Sequence, residues 1–165
     1  MINVNLIELC KMDESKFLCA VIVAHYKGKW VFVREKGKET WELPGGTHEI
    51  NESITETAWR ELFKETGGKK FTLKPIGITS VSGNGSTSYG ALFYSEISEL
   101  DKLPNSEIEE VKLFDWLPEN LTYPSTHNVL FNNAIVFYEN HKINWSIIEL
   151  YCQLIKIKIV LIKNL

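Results

Sequence analysis

Two glutamates, Glu61 and Glu65, stand four residues apart in the stretch AWRELFKETGG (58–68), with Lys64 between them. On a helix that spacing stacks both carboxylates on one face, beside the lysine. Like charges so placed cost only about 0.2–0.5 kcal/mol, so the pair alone is compatible with a solvated face on which Lys64 screens its neighbours. Upstream, Leu43-Pro44-Gly45-Gly46 brings a bare backbone turn to the start of the same helix. A glycine carbonyl there, with carboxylates from the helix, makes a set of hard oxygen donors suited to Mg²⁺ or Mn²⁺. Such a cation would supply positive charge to a small anionic ligand and lower the pKa of bound water.

The elements that must position these groups are legible from pattern. Ser53-Ile-Thr-Glu56 has the form of a capping box and sets the helix start at Ser53, and Gly67-Gly68 supplies its stop. Ile54, Ala58 and Leu62 recur at i+4 as an inward stripe, while Thr57, Glu61, Lys64 and Glu65 share another face. Residues 17–25 and 30–34, joined by a Lys-Gly-Lys turn, read as a hairpin. Residues 41–46 are a short extended piece. A strand is expected over 71–81, with Pro75 marking a bulge or an edge, then a flexible loop through SGNGSTSYG, then strands over 91–97 and 109–117. A second helix is expected over 126–140. Strands, a helix, more strands and a helix give an α/β or α+β sandwich, a mixed sheet covered by helices.

The chain has 165 residues, 44% of them hydrophobic and 24% charged, which suits one globular domain. The net charge of −3 argues against a broad nucleic-acid surface, whereas a bound metal would still admit small anionic substrates. Cys10, Cys19 and Cys152 are odd in number and widely spaced, as expected for free thiols in a reducing cytoplasm. No signal peptide or membrane span is expected. The domain is expected over 1–142. The Ile- and Leu-rich 143–165 reads as an apolar extension packed on the domain, or as a homodimer contact.

Gly46, Glu52, Arg60, Glu61, Leu62, Glu65 and Gly67 match in type and spacing the box G-x5-E-x7-R-E-U-x-E-E-x-G-U, where U is a bulky aliphatic residue. The chain therefore resembles the Nudix hydrolase family, MutT-like, over roughly 17–140. Two positions depart: Lys64 stands where the family has the first glutamate of its pair, and Gly68 replaces the final aliphatic. The resemblance implies a Nudix-type α-β-α sandwich with a mixed sheet. It implies hydrolysis of a nucleoside diphosphate linked to another group, with Mg²⁺ or Mn²⁺ as cofactor. It also implies Glu65 as principal metal ligand, Glu61 as second ligand or water-orienting group, the Gly46 carbonyl completing the cage, and Glu52 with Arg60 as a supporting ion pair.

A further carboxylate is expected from NSEIEEVKLF. The family's offset to a strand aromatic, met here at Leu113 or Phe114, points to Glu107, with Glu109 and Glu110 as close alternatives. Arg34, at a strand end, is a candidate for a substrate phosphate, and so is Lys64. Lys64 should also weaken or reduce metal binding, unless it points to solvent. Tyr89, Tyr94 and Tyr123 could stack on a base, though packing is their default role. His25, His48, His127 and His141 show no metal spacing and read as structural or exposed. The expected partner is a small nucleotide, most simply a free or oxidised nucleoside triphosphate in a housekeeping role, with no stable nucleic-acid complex. A catalytically impaired nucleotide-binding or regulatory module is the alternative.

Overall fold

The hydrophobic segments of this sequence pair into one sheet. The computed structural model describes residues 3–7, 12–83 and 86–142, and divides into two units, Met1–Ala134 and Ile135–Leu165. The strands are β1 (Asn3–Ile7), β2 (Phe17–Tyr26), β3 (Lys29–Glu35), β4 (Gly45–Thr47), β5 (Gly68–Gly83), β6 (Ser86–Leu100) and β7 (Ile108–Phe114). Helix α1 is Ile54–Thr66, between β4 and β5. A second helix, α2, spans 124–142, and its residues up to 134 belong to the first unit. The extension 143–165, and with it the expected packing or dimer contact, lies outside the described residues, as do Cys10 and Cys152.

The strand order is β1-β5-β6-β2-β3-β7, with β4 added on β2. The β2–β6 pair is parallel and the other pairs are antiparallel, so the sheet is mixed. The β2–β3 turn uses Lys27 (φ 50°) and Gly28 (φ 82°), both left-handed, as a tight two-residue hairpin requires. Pro75 adjoins a register shift against β6, the irregularity expected of a proline within a strand.

Two expectations change. SGNGSTSYG is not an open loop: β5 and β6 pair out to Gly83↔Ser86, so its Ser and Thr residues lie mostly in strands. Backbone pairing overrides the weak strand preference of Gly and Ser there. At the N-terminus, β1 had no counterpart in the sequence reading, and it pairs with the far end of β5 from Asn3↔Ser82 to Ile7↔Ile78.

Strand alternation sorts the core. Ala20, Ile22, Ala24, Val31 and Phe93 pack with Ile54, Ala58 and Leu62 of α1. Full burial of Leu62 contributes about 1.5–3 kcal/mol relative to exposure. The intervening Trp30 and Phe32 project from the opposite face, where Phe131 of α2 meets them at ring-centroid distances of 5.1 and 5.9 Å. Helices therefore cover both faces of the mixed sheet, the expected sandwich.

Candidate active site

Capping fixes both ends of α1. The Ser53 hydroxyl accepts from the Glu56 N–H at 3.2 Å, and the Glu56 carboxylate accepts from the Ser53 N–H at 2.7 Å. Glu14 adds a further cap by accepting from the Ile54 N–H at 3.0 Å. Gly67 ends the helix at φ 72°, and any side chain there would also strike the Asp101 carbonyl.

The carboxylate face of α1 turns inward, against the solvated alternative. Glu61 is 3% exposed and Glu65 is 7% exposed. Glu65 accepts from the Gly45 N–H at 2.9 Å, which ties the helix to the Gly45–Gly46 turn. Gly46 lies against the Glu61 side chain, so a Cβ there would displace the Glu61 carboxyl. That turn is anchored in the sheet by the pairs Ala20↔Gly46 and Val21↔Gly45. Burial pushes the Glu65 carboxyl up to about 8. The Gly45 hydrogen bond and the Lys64 charge pull against that shift, and the nearby Glu61 and Glu107 charges add to it.

Glu52 and Arg60 lock the loop between β4 and α1. Arg60 donates through Nε to Glu52 Oε2 at 3.0 Å and through Nη2 to Glu52 Oε1 at 2.6 Å. It also reaches the Thr47 carbonyl at 3.0 Å, and its Nη1 contacts Glu61 Oε1. The Arg60 bonds hold the Glu52 carboxyl down at about 2, with help from Thr57 and the Glu49 N–H. Thr57 Oγ1 donates to Glu52 Oε1 at 2.7 Å and lies 2.8 Å from His48 Nδ1. An ionised carboxylate only accepts, so the hydroxyl proton belongs to Glu52 and His48 carries its proton on Nδ1.

Of the three candidates outside the box, Glu107 is the one brought to it. Its Oε1 lies 2.8 Å from Lys64 Nζ, and the same ammonium lies 2.8 Å from Glu61 Oε2. The Glu61 contact is an ion pair without good hydrogen-bond geometry. Desolvation opposes the charge on Lys64, but Glu107 and Glu61 outweigh it and raise the Lys64 pKa; in return Lys64 lowers that of Glu107. Glu109 and Glu110 are held elsewhere, by Arg34 at 2.7 and 2.8 Å. Arg34 also donates to the Lys38 carbonyl at 2.9 Å. The structure thus gathers Gly46, Glu52, Arg60, Glu61, Lys64, Glu65 and Glu107, and leaves Arg34 in a β3–β7 clamp. Tyr94 is buried with its hydroxyl on Glu96, while Tyr123 packs edge-on against His127.

Sequence reading passed over Gly45 and Thr57 as site groups. The adjacent Gly45-Gly46 pair was the available signal for the first, and the shared helix face for the second.

The donor set fits a hard cation. Glu65 is a buried carboxylate with no basic partner within 4.0 Å among the described residues, Glu61 is adjacent, and the Gly46 backbone is bared for close approach. Among the described residues no three His, Cys, Asp or Glu side chains group closely enough to hold a metal unaided. The main-chain carbonyl and water would therefore have to complete the shell.

A family model of the NUDIX domain matches residues 16–131. The chain belongs to the Nudix family. It is a Nudix hydrolase of phosphorus-containing anhydrides, from a family that generally uses divalent metals such as Mg²⁺ or Mn²⁺. Among curated relatives, YtkD of Bacillus subtilis, provisionally named an 8-oxo-dGTP diphosphatase, is 28% identical over 116 residues, covering 70% of this chain and 73% of YtkD. The phosphatase NudJ of Escherichia coli K12 is 45% identical over 47 residues, which is 27% of this chain and 31% of NudJ. The crystal structure of a variant of the Bacillus subtilis pyrophosphohydrolase BsRppH superposes with a TM-score of 0.70 at 23% identity, covering 84% of this chain and 90% of that one. At that identity the superposition speaks for the Nudix fold alone. No helix among the described residues is long and apolar enough to cross a membrane.

Proposed function

We propose that the chain hydrolyses the pyrophosphate linkage of a nucleoside triphosphate, oxidised forms included, with Mg²⁺ or Mn²⁺ held by Glu65, Glu61 and the Gly46 carbonyl. The observation that carries this reading is the burial of Glu61 and Glu65 against the Gly45–Gly46 turn, with Glu107 brought to the same helix. A bound cation would neutralise the phosphates and lower the pKa of its water. The protein's own groups do the rest. Glu65 fixes the ligand geometry through its bond to Gly45. Glu61 holds the cation or orients the attacking water. Glu107, about half exposed and ion-paired with Lys64, is the group placed to accept a proton from that water. Glu52 and Arg60 keep the loop in register with the helix and touch no substrate.

Similarity to YtkD supports the triphosphate reading over nucleotide sugars and dinucleoside polyphosphates. The net charge of −3 supports a small nucleotide as partner rather than a nucleic acid, and the absence of disulfide patterning in the sequence supports a cytoplasmic setting. One observation favours a second reading, a nucleotide-binding module without turnover: Lys64 sits on two of the three carboxylates. The test is a hydrolysis screen with and without Mg²⁺ and Mn²⁺ across (d)NTPs, oxidised dNTPs, ADP-ribose and diadenosine polyphosphates. Metal-dependent release of pyrophosphate from triphosphates, lost in Glu65→Gln, is expected. Nucleotide binding with no turnover of any substrate would establish the second reading.

A further inference from the structure

Lys64 stands between Glu61 and Glu65 on α1, and the structure shows where its charge goes. Its side chain is about a third exposed, and its ammonium is turned toward carboxylates. It bridges Glu61 of α1 and Glu107 of the segment leading into β7, 2.8 Å from an oxygen of each. Both contacts are ion pairs, so the charge of Lys64 is shared between two carboxylates. Glu61 is almost wholly buried and Glu107 is half exposed, so the lysine joins a buried carboxylate to a half-exposed one across two elements. Among the described residues Glu65, one residue further along the helix, has no such partner and accepts from the Gly45 N–H.

We infer that Lys64 is a resident cation: its ammonium fills the place between Glu61 and Glu107 that an exchangeable divalent ion would otherwise take, and it positions Glu107. The inference rests on the proposed metal-binding reading of the site and deepens it. The chain carries one cation covalently and takes a single divalent ion, centred on Glu65. The tethered charge cannot dissociate, so Glu107 stays at the site in the absence of metal. Lys64 is a positioning residue, acting through the carboxylates rather than on the substrate.

Mn²⁺ titration of the metal-free protein, followed by electron paramagnetic resonance and calorimetry, tests this without any turnover. Wild type is expected to bind about one Mn²⁺ per chain, and Lys64→Met about two, because Glu61 and Glu107 lose the charge that bridges them. Lys64→Gln retains hydrogen-bond donors for both carboxylates but no charge, and is expected to gain the same second ion even if Lys64→Met fails to fold. Lys64→Arg keeps the charge and should remain at about one. Equal stoichiometry and affinity, within about twofold, in wild type and Lys64→Gln would overturn the inference, as would two ions in wild type. Metal-dependent hydrolysis by wild type combined with that result removes the inference alone. A wild type that binds no Mn²⁺ removes the metal-site reading as well.

Discussion

Replacing Glu65 by glutamine should stabilise the metal-free protein while it abolishes hydrolysis. The Glu65 carboxyl is buried beside Glu61 and Glu107, with Lys64 and the Gly45 N–H as its counterweights, and it is pushed from 4.5 to about 8. Between those values the folded protein keeps a proton that the unfolded chain has released. Stability therefore falls as pH rises through the window and levels off above about pH 8. By the upper end, the cost of ionising the buried group is on the order of 4 kcal/mol. Glutamine has the same shape, still accepts from Gly45, and carries no charge to desolvate. Urea or thermal denaturation from pH 5 to 9 in chelator should show wild type and variant diverging with pH. The gap near pH 8 should reach roughly 10 °C in melting temperature. Taking the difference between the two proteins cancels the other titrating groups. Mg²⁺ at pH 8 should recover stability in wild type, by favouring the ionised carboxylate, and leave the variant unmoved. Parallel pH profiles for the two proteins would refute the placement of Glu65 as a buried, unpaired carboxylate.

Two further substitutions probe the surrounding frame. Gly46→Ala forces a methyl group into the Glu61 carboxyl, so it should lose about 1–3 kcal/mol in denaturant unfolding and most of its metal-dependent rate. Unchanged activity would mean that Glu61 has room to move. Arg34→Met removes the clamp on Glu109 and Glu110 and should lower the melting temperature slightly, leaving kcat and KM unaltered. A rise in KM for nucleotide would instead return Arg34 to the substrate.

What the sequence could and could not disclose follows from the range of each interaction. Local signals were sufficient for α1: the Ser53–Glu56 box, the Ile54, Ala58, Leu62 stripe and the left-handed Gly67 all act within a turn or two of the helix. The β2–β3 hairpin was equally legible, since its turn residues adjoin its strands. The burial of Glu61 and Glu65 was not, because an identical spacing serves a solvated face, and only the sheet beneath decides between them. The fate of Arg34 and Lys64 depended on β7 and the residue before it, more than forty residues away in the case of Lys64–Glu107, and no local pattern encodes which glutamate a distant cation will meet. The β5–β6 hairpin was shortened in the reading because Gly and Ser composition signals a loop, whereas a neighbouring strand can hold such residues extended. β1 carries a faint alternation, Asn-Val-Asn-Leu, that is too brief to stand out without its partner.

The order of strands gives the site two different mechanical lives. The Gly45–Glu65 bond is rooted in β2, which has strands on both sides, whereas β7 pairs with β3 alone and ends the described sheet. Edge strands open at lower free energy than central ones, so fraying begins where Glu107, Glu109 and Glu110 reside. When it does, the ties across Arg34 and Lys64 are what must break. Amide hydrogen exchange would then register two foldons within one site: a slow half around Gly45 and Glu65, and a faster half along β7 whose opening is resisted by the Arg34 and Lys64 ties.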